Sequence, residues 1–274
     1  MSIATLIVPD VHGNLDMAAG LLRAAGAIDE GGARIARDDL RTVQLGDLCN
    51  CVGASLVDDA RCLDHVEEWF DVYLVGNHEH PYFGGPAFSG FWRDPVLERR
   101  LRGLYDGGLV QPSVVVDGIL VTHAGVTPSW GFRHAFEADE FLRRWWVADP
   151  GGAPAFAQIG CARGGRALTG GILWSDWLEP KAQNLRQIVG HTVGRDVRRV
   201  DFESRDGWAL CIDLGGGKHG DRLAGALVRD GAVEIVVYDR TAGRACRVCG
   251  CTDAAACLGG CSWIDIDLCS RCAA

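Results

Sequence analysis

A chain of 274 residues, 48% apolar and 23% charged, can form one large globular domain or a domain with an appendage. Its formal charge of −9 argues against a surface built to coat nucleic acid or anionic membrane, so an anionic substrate would be held by a few arginines or by metal ions. No apolar run reaches the roughly 18 residues of a membrane-spanning helix, and Met1-Ser2-Ile3-Ala4 lacks the basic stretch that opens a secretory signal. We therefore expect a cytoplasmic protein with reduced thiols and no membrane partner. Of the 12 cysteines, Cys49, Cys51, Cys62, Cys161 and Cys211 are scattered and the rest crowd between Cys246 and Cys272. That asymmetry predicts two domains, 1–240 and 241–274.

Ser2 to Val8 is a short apolar run ended by Pro9 and predicts a buried strand, with Leu15 to Ala25 helical behind it. Arg41 to Leu45 predicts a second strand, Leu56 to Phe70 an amphipathic helix, and Asp71 to Val75 a third strand. Polar residues follow each strand: Asp10-Val11-His12-Gly13-Asn14, Gly46-Asp47-Leu48-Cys49-Asn50 and Gly76-Asn77-His78-Glu79-His80. In open α/β sheets that edge is where ligands bind. An aromatic-rich loop from Pro81 and a helix through Leu97 to Tyr105 lead to a hairpin over Val114 to Val121, turning at Asp117-Gly118. The hairpin runs into Thr122-His123-Ala124-Gly125. Glu137 to Trp146 is a further predicted helix, and Gly160 to Gly171 is a glycine-rich loop carrying Arg163 and Arg166. Arg186 to Val189 predicts a strand entering Gly190-His191-Thr192, and Trp208 to Leu214, Leu223 to Arg229 and Val233 to Tyr238 predict three more. Helical units early and strands late suggest two packed sheets with helices outside.

Six residues behind these strands carry metal-ligating groups: Asp10, His12, Asp47, Asn77, His123 and His191. Two carboxylates, three imidazoles and an amide, with no thiolate, suit Mn, Fe, Zn or Mg rather than softer ions. Six donors exceed what one open catalytic ion needs but serve two ions sharing a carboxylate, which can clamp a phosphate and activate water.

The order Asp-x-His-Gly, Gly-Asp-x-x-Asn, Gly-Asn-His-Glu, His-Ala-Gly, Gly-His-Thr resembles the calcineurin-like metallophosphoesterase superfamily. Within it the chain is similar to the phosphoprotein phosphatases and the bacterial symmetrical dinucleoside tetraphosphatases. Leu173-Trp174-Ser175-Asp176 looks like the former, whereas His123-Ala124-Gly125-Val126-Thr127-Pro128-Ser129-Trp130 is closer to the latter, and Cys211-Ile212-Asp213-Leu214-Gly215 also looks like the bacterial branch. The resemblance, over residues 3 to about 238, implies an α/β sandwich of two mixed β-sheets flanked by helices. It implies Asp10 and His12 on a first metal, Asp47 bridging, and Asn77, His123 and His191 on a second. A hydroxide bridging the ions would attack phosphorus, with Asp47 and His78 in catalytic roles and His78 the general acid. Asn50 would be a polar partner of His78, and Glu79 would orient a neighbour by hydrogen bond. Asn77 is also a candidate for substrate binding.

One departure concerns the substrate. The family pattern continues Asp-Arg-Gly or Asn-Arg-Gly, where this chain has Asn50-Cys51-Val52. A thiol cannot make the bidentate phosphate contact of an arginine, so either Arg163 or Arg166 takes its place or the metals hold phosphate alone.

The tail carries Cys246-x-x-Cys249 and Cys269-x-x-Cys272, separated by 19 residues. That spacing fits a zinc ribbon with one structural Zn on Cys246, Cys249, Cys269 and Cys272. Cys251, Cys257 and Cys261 stay open between a second ion, exchange with one of the four, and simple packing; disulfides are a further alternative, which a cytoplasmic setting disfavours, and the spacing also admits iron–sulfur ligation. With few cations nearby, we expect a protein-contact or stability role for this module rather than nucleic-acid recognition. The expected activity is hydrolysis of a phosphomonoester, including phosphoserine or phosphothreonine protein. Dinucleoside tetraphosphate hydrolysis is the alternative, and a non-catalytic scaffold on the same fold the second.

Overall fold

The computed structural model describes residues 2–49, 56–203, 206–216, 220–252, 255–257, 260–265 and 267–273, with the backbone alone at 56 and 57. Asn50 and Cys51, and with them the proposed partner of His78 and the missing arginine position, lie outside the described residues. The chain divides into two compact units, Met1–Tyr238 and Asp239–Ala274.

In the first unit, strands β1 (Ala4–Val8), β2 (Leu40–Gln44), β3 (Val72–Leu74) and β4 (Val110–Gln111) pair in parallel. Helices α1 (Leu15–Ala24), α2 (Leu56–Trp69) and α3 (Pro95–Asp106) connect them. Asn14 caps α1, its Oδ1 accepting from Met17 N, and Asp94 caps α3 by accepting from Val96 N and Leu97 N. The second sheet takes β5 (Ser113–Val116), β6 (Ile119–Thr122), β7 (Arg186–Val189), β8 (Arg198–Asp201) and β9 (Trp208–Cys211) in the order β5-β6-β7-β9-β8. Helix α4 (Ala135–Ala148) covers it beside β5 and β6. Strands β10 (Arg222–Arg229) and β11 (Ala232–Asp239) return to complete the first sheet as β11-β10-β1-β2-β3-β4, with β10 antiparallel to β1. Both sheets are mixed.

Alternation along the strands divides the core. On β1, Leu6 and Val8 pack with the helices, while Ile7 joins Val43, Val72, Val121, Ile188 and Leu210 between the sheets. Both faces are buried, which is why the strand reads as a continuous apolar run. Sequence did not predict β8: its Arg-Arg-Val-Asp run is that of a sheet edge, where charge discourages further pairing. The strand expected over Trp208 to Leu214 ends at Cys211, because the chain then leaves the sheet toward Gly215.

In the second unit, β12 (Trp263–Asp265) pairs with β13 (Leu268–Cys269), and Ala245 bridges Thr252. Cys246 N donates to Cys251 O and Gly250 N to Cys246 O, folding Cys246–Cys249 into a tight knuckle. Among the described residues no helix is long and apolar enough to cross a membrane.

Candidate metal centre

Five loops at the carboxyl ends of parallel strands deliver the candidate ligands. β1 leads to Asp10 and His12, β2 to Asp47, β3 to Asn77 and His78, β6 to His123 and β7 to His191. The loops are tied to one another by backbone. Val11 N and His12 N donate to Asp47 O at 3.1 and 2.8 Å, and Gly13 N donates to Leu48 O at 2.7 Å. His12, Asp47 and His191 take left-handed φ of 49°, 53° and 68°. The other non-glycine residues in that region among those described, Asp117 and Asp230, sit in Asp-Gly turns that favour it. Three left-handed residues outside such turns, each costing about 1–3 kcal/mol, mark strain held at one site. Gly76 is required by the same crowding, since a Cβ there would collide with Asp47 Oδ1. Gly190 stands in the same relation to Asp10 Oδ1.

Asp47 is the hub. Its Oδ2 lies 3.8 Å from His12 Nε2 and 3.7 Å from His78 Nε2, and its Oδ1 lies 3.5 Å from His123 Nε2. His123 Nε2 is in turn 3.0 Å from Asn77 Oδ1 and 3.1 Å from His191 Nδ1. Asp10 Oδ2 lies 3.9 Å from His12 Nε2, and the Asp10 carboxylate accepts from His191 N at 3.1 Å. Two three-residue groups emerge, His12–Asp47–His78 and Asp47–His123–His191, each with donor atoms within 4.8 Å of one another. They share Asp47.

The chemistry of this set fits divalent cations. His123 Nδ1 lies 2.9 Å from Leu45 O, a carbonyl that can only accept, so Nδ1 carries the proton. The Nε2 lone pair of the neutral ring then faces the Asn77 and Asp47 oxygens, all acceptors. His191 Nε2 is buried with no hydrogen-bond partner among the described residues. Burial pushes both rings down from the usual histidine range, against the pull of Asp47. Burial alone would push the Asp47 carboxyl up, but the imidazoles of His78, His123 and His12 around it hold it far below the usual carboxylate range. The site wants a positive charge that its buried rings resist carrying, and a divalent cation held here would supply it.

Glu79 organises this floor from beneath. It is fully buried, and its carboxylate accepts from Asp47 N at 2.8 Å, Cys49 N at 3.1 Å and Gly76 N at 3.0 Å. Burial and the nearby Asp47 charge push its carboxyl up to about 8, against three N–H donors that favour the ionised form. Gln44, which sequence reasoning passed over, accepts from Gly46 N and donates to Pro9 O and Gly46 O, joining the first two loops. Its signal was available: a polar residue in a buried strand, immediately before Gly46-Asp47.

The His78 ring is edge-on to His12, with centroids 4.8 Å apart, and packs on Phe88 at 4.1 Å. The aromatic loop after Pro81 therefore borders the site. Of the two arginines, Arg163 is half-buried and donates to Thr192 Oγ1 at 2.7 Å and to His191 O at 3.4 Å, while its Nε pairs with Asp176 at 2.9 Å. Arg166 is exposed on the same loop. Arg198, also missed, donates to Thr192 O and stacks over Trp177 at 5.3 Å, buttressing the loop that carries His191. No pattern in the sequence marks it.

In the second unit, Cys246, Cys249, Cys269 and Cys272 place their sulfurs within 4.8 Å of one another. No disulfide engages them.

No protein-family model matches the sequence, and no curated protein matches it. Solved structures do. A cold-active protein-tyrosine phosphatase from the psychrophile Shewanella sp. aligns over 86% of this chain and 81% of its own, at 17% identity and a TM-score of 0.54. A protein serine/threonine phosphatase from Saccharomyces cerevisiae aligns over 87% of this chain and 80% of its own, at 12% identity and a TM-score of 0.51. With both mixed sheets and their flanking helices in place, the chain shares the fold of these two phosphatases.

Proposed function

We propose that the first unit is a two-metal phosphoesterase, and that it hydrolyses phosphomonoesters. The observation that carries this is the pair of donor groups sharing Asp47, His12–Asp47–His78 and Asp47–His123–His191. Asp10 and His12 would hold one ion, Asn77, His123 and His191 the other, with Asp47 between them. Bound there, two divalent cations supply Lewis acidity and neutralise charge on the phosphate oxygens. The remaining work falls to side chains. His78 faces the shared carboxylate and would pass a proton to the leaving oxygen, a task suited to an imidazole. Arg163, held by Thr192 and Asp176 beside His191, is the better placed arginine for a phosphate oxygen; Arg166 would have to swing in from solvent.

The two structural neighbours named as protein phosphatases favour a phosphorylated protein as substrate. The run from His123 to Trp130 favours the second reading, a dinucleoside tetraphosphate. The C-terminal unit would then be a zinc-stabilised module for contact with a protein partner.

Purified chain supplied with Mn should hydrolyse p-nitrophenyl phosphate, and Asp47→Asn should reduce this to background. His78→Ala should lower kcat by roughly 10²–10⁴ on a phosphoserine peptide and by less on the aryl ester, whose leaving group needs little protonation. Dinucleoside polyphosphates and cyclic nucleotides run in parallel decide the substrate class. If protein carrying two ions hydrolyses none of these, the enzyme reading fails and the scaffold reading stands.

A further inference from the structure

The unit from Asp239 to Ala274 is too short to be held by an ordinary apolar core. Its buried cluster is Cys246, Cys251 and Cys269, packed by Cys257, Cys261, Cys272, Trp263 and Leu268. Thiols occupy the positions that aliphatic side chains fill elsewhere. A zinc-ribbon quartet accounts for four of the seven cysteines and leaves Cys251, Cys257 and Cys261 without a role.

The sulfur positions supply one. Besides Cys246–Cys249–Cys269–Cys272, a second quartet, Cys249–Cys251–Cys257–Cys269, also has its sulfurs within 4.8 Å of one another. The quartets overlap at Cys249 and Cys269, whose sulfurs are 3.7 Å apart. Cys257 Sγ lies 3.5 Å from Cys249 Sγ and 3.8 Å from Cys269 Sγ. A tetrahedral site with Zn–S of about 2.3 Å has S···S edges of about 3.8 Å. The shared pair therefore has the length of an edge common to two tetrahedra.

We propose that this unit binds two zinc ions in a single thiolate cluster, with Cys249 and Cys269 bridging them. Cys246 and Cys272 complete the first ion, and Cys251 and Cys257 the second. Two four-coordinate ions need eight sulfur positions, and six cysteines supply them because each bridging sulfur uses two lone pairs. Each of the six thiols releases its proton to solvent on binding. Six thiolates and two Zn²⁺ leave a net charge of about −2, in a unit that also carries Arg244, Arg247 and Arg271. Cys261 stays outside the ligand set: its sulfur accepts from Cys257 N at 3.3 Å and lies 3.7 Å from Cys251 Sγ, fixing the turn that presents Cys257. The inference is independent of the phosphoesterase reading.

The full chain loaded with ¹¹³Cd tests it, because sulfur-ligated cadmium resonates far from cadmium on nitrogen and oxygen. Two tetrathiolate resonances, each split by coupling to the other through shared sulfur, are expected. The double variant Cys251→Ser, Cys257→Ser should keep one tetrathiolate resonance, unsplit, and Cys261→Ser should keep both. A single tetrathiolate resonance in the wild type, two unsplit ones, or iron with acid-labile sulfide in the purified protein would overturn the proposal.

Discussion

Asp47 has His12, His78 and His123 within 3.8 Å, and its position depends on Glu79, which is buried and accepts from Asp47 N. The Glu79 carboxylate accepts three backbone N–H groups, those of Asp47, Cys49 and Gly76. An amide in its place keeps one acceptor and turns two donors toward N–H groups, leaving buried donors unpaired at about 1–3 kcal/mol each. Glu79→Gln should therefore lower the thermal midpoint by several degrees and weaken metal binding on the order of 10–100-fold, the range for groups that orient ligands. Calorimetry and a metal titration check the two effects separately. Asp10, His12, Asp47, Asn77, His123 and His191 were legible because each follows an apolar run at a strand's end. Leu45 O, which fixes the His123 tautomer, was not, because a backbone carbonyl has no sequence signature. Nor could sequence rank Arg163 above Arg166, since both lie in one glycine-rich loop and only the folded chain shows which meets Thr192 and Asp176.

At the scale of elements, the turn after β3 carries a second consequence. His80 is fully buried one position beyond Glu79, with Nε2 2.7 Å from Pro150 O, and burial pushes its imidazole down to about 4 from an ordinary 6.5. Below pH 6.5 the unfolded chain takes up a proton here that the folded chain refuses until about pH 4, so stability falls as pH drops through that window and is unaffected above it. The ring should account for a loss of roughly 2 kcal/mol between pH 7 and pH 5. His80→Gln, which can still donate to Pro150 O, should show a shallower decline by that amount in urea midpoints at the two pH values. The elements themselves were mostly readable. β1 to β3 and β6 to β7 announce themselves by apolar runs and α1 to α4 by helical spacing, whereas β8 hid behind edge-strand charges and β4, two residues long, carries too little pattern to read.

At the scale of the molecule, every candidate ligand of the proposed dinuclear centre lies in the unit that ends at Tyr238, and the thiol cluster lies wholly in the other. We therefore expect chain truncated after residue 240 to keep kcat/KM on an aryl phosphate within about a factor of 3, a change below 1 kcal/mol in transition-state free energy. A fall of 100-fold or more would show instead that the tail completes the active site. Spacing sets the cysteine tail apart in the sequence, but it does not say which sulfurs meet, so the approach of Cys249 and Cys269 to 3.7 Å was not legible.

The central claim is that Asp47 joins two ions in one centre. Electron paramagnetic resonance of the protein loaded with two equivalents of Mn(II) tests it most directly. A carboxylate shared by both ions predicts an exchange-coupled multiline spectrum that Asp47→Asn abolishes. A simple six-line spectrum of isolated Mn(II) at full loading, unchanged by Asp47→Asn, would contradict the account.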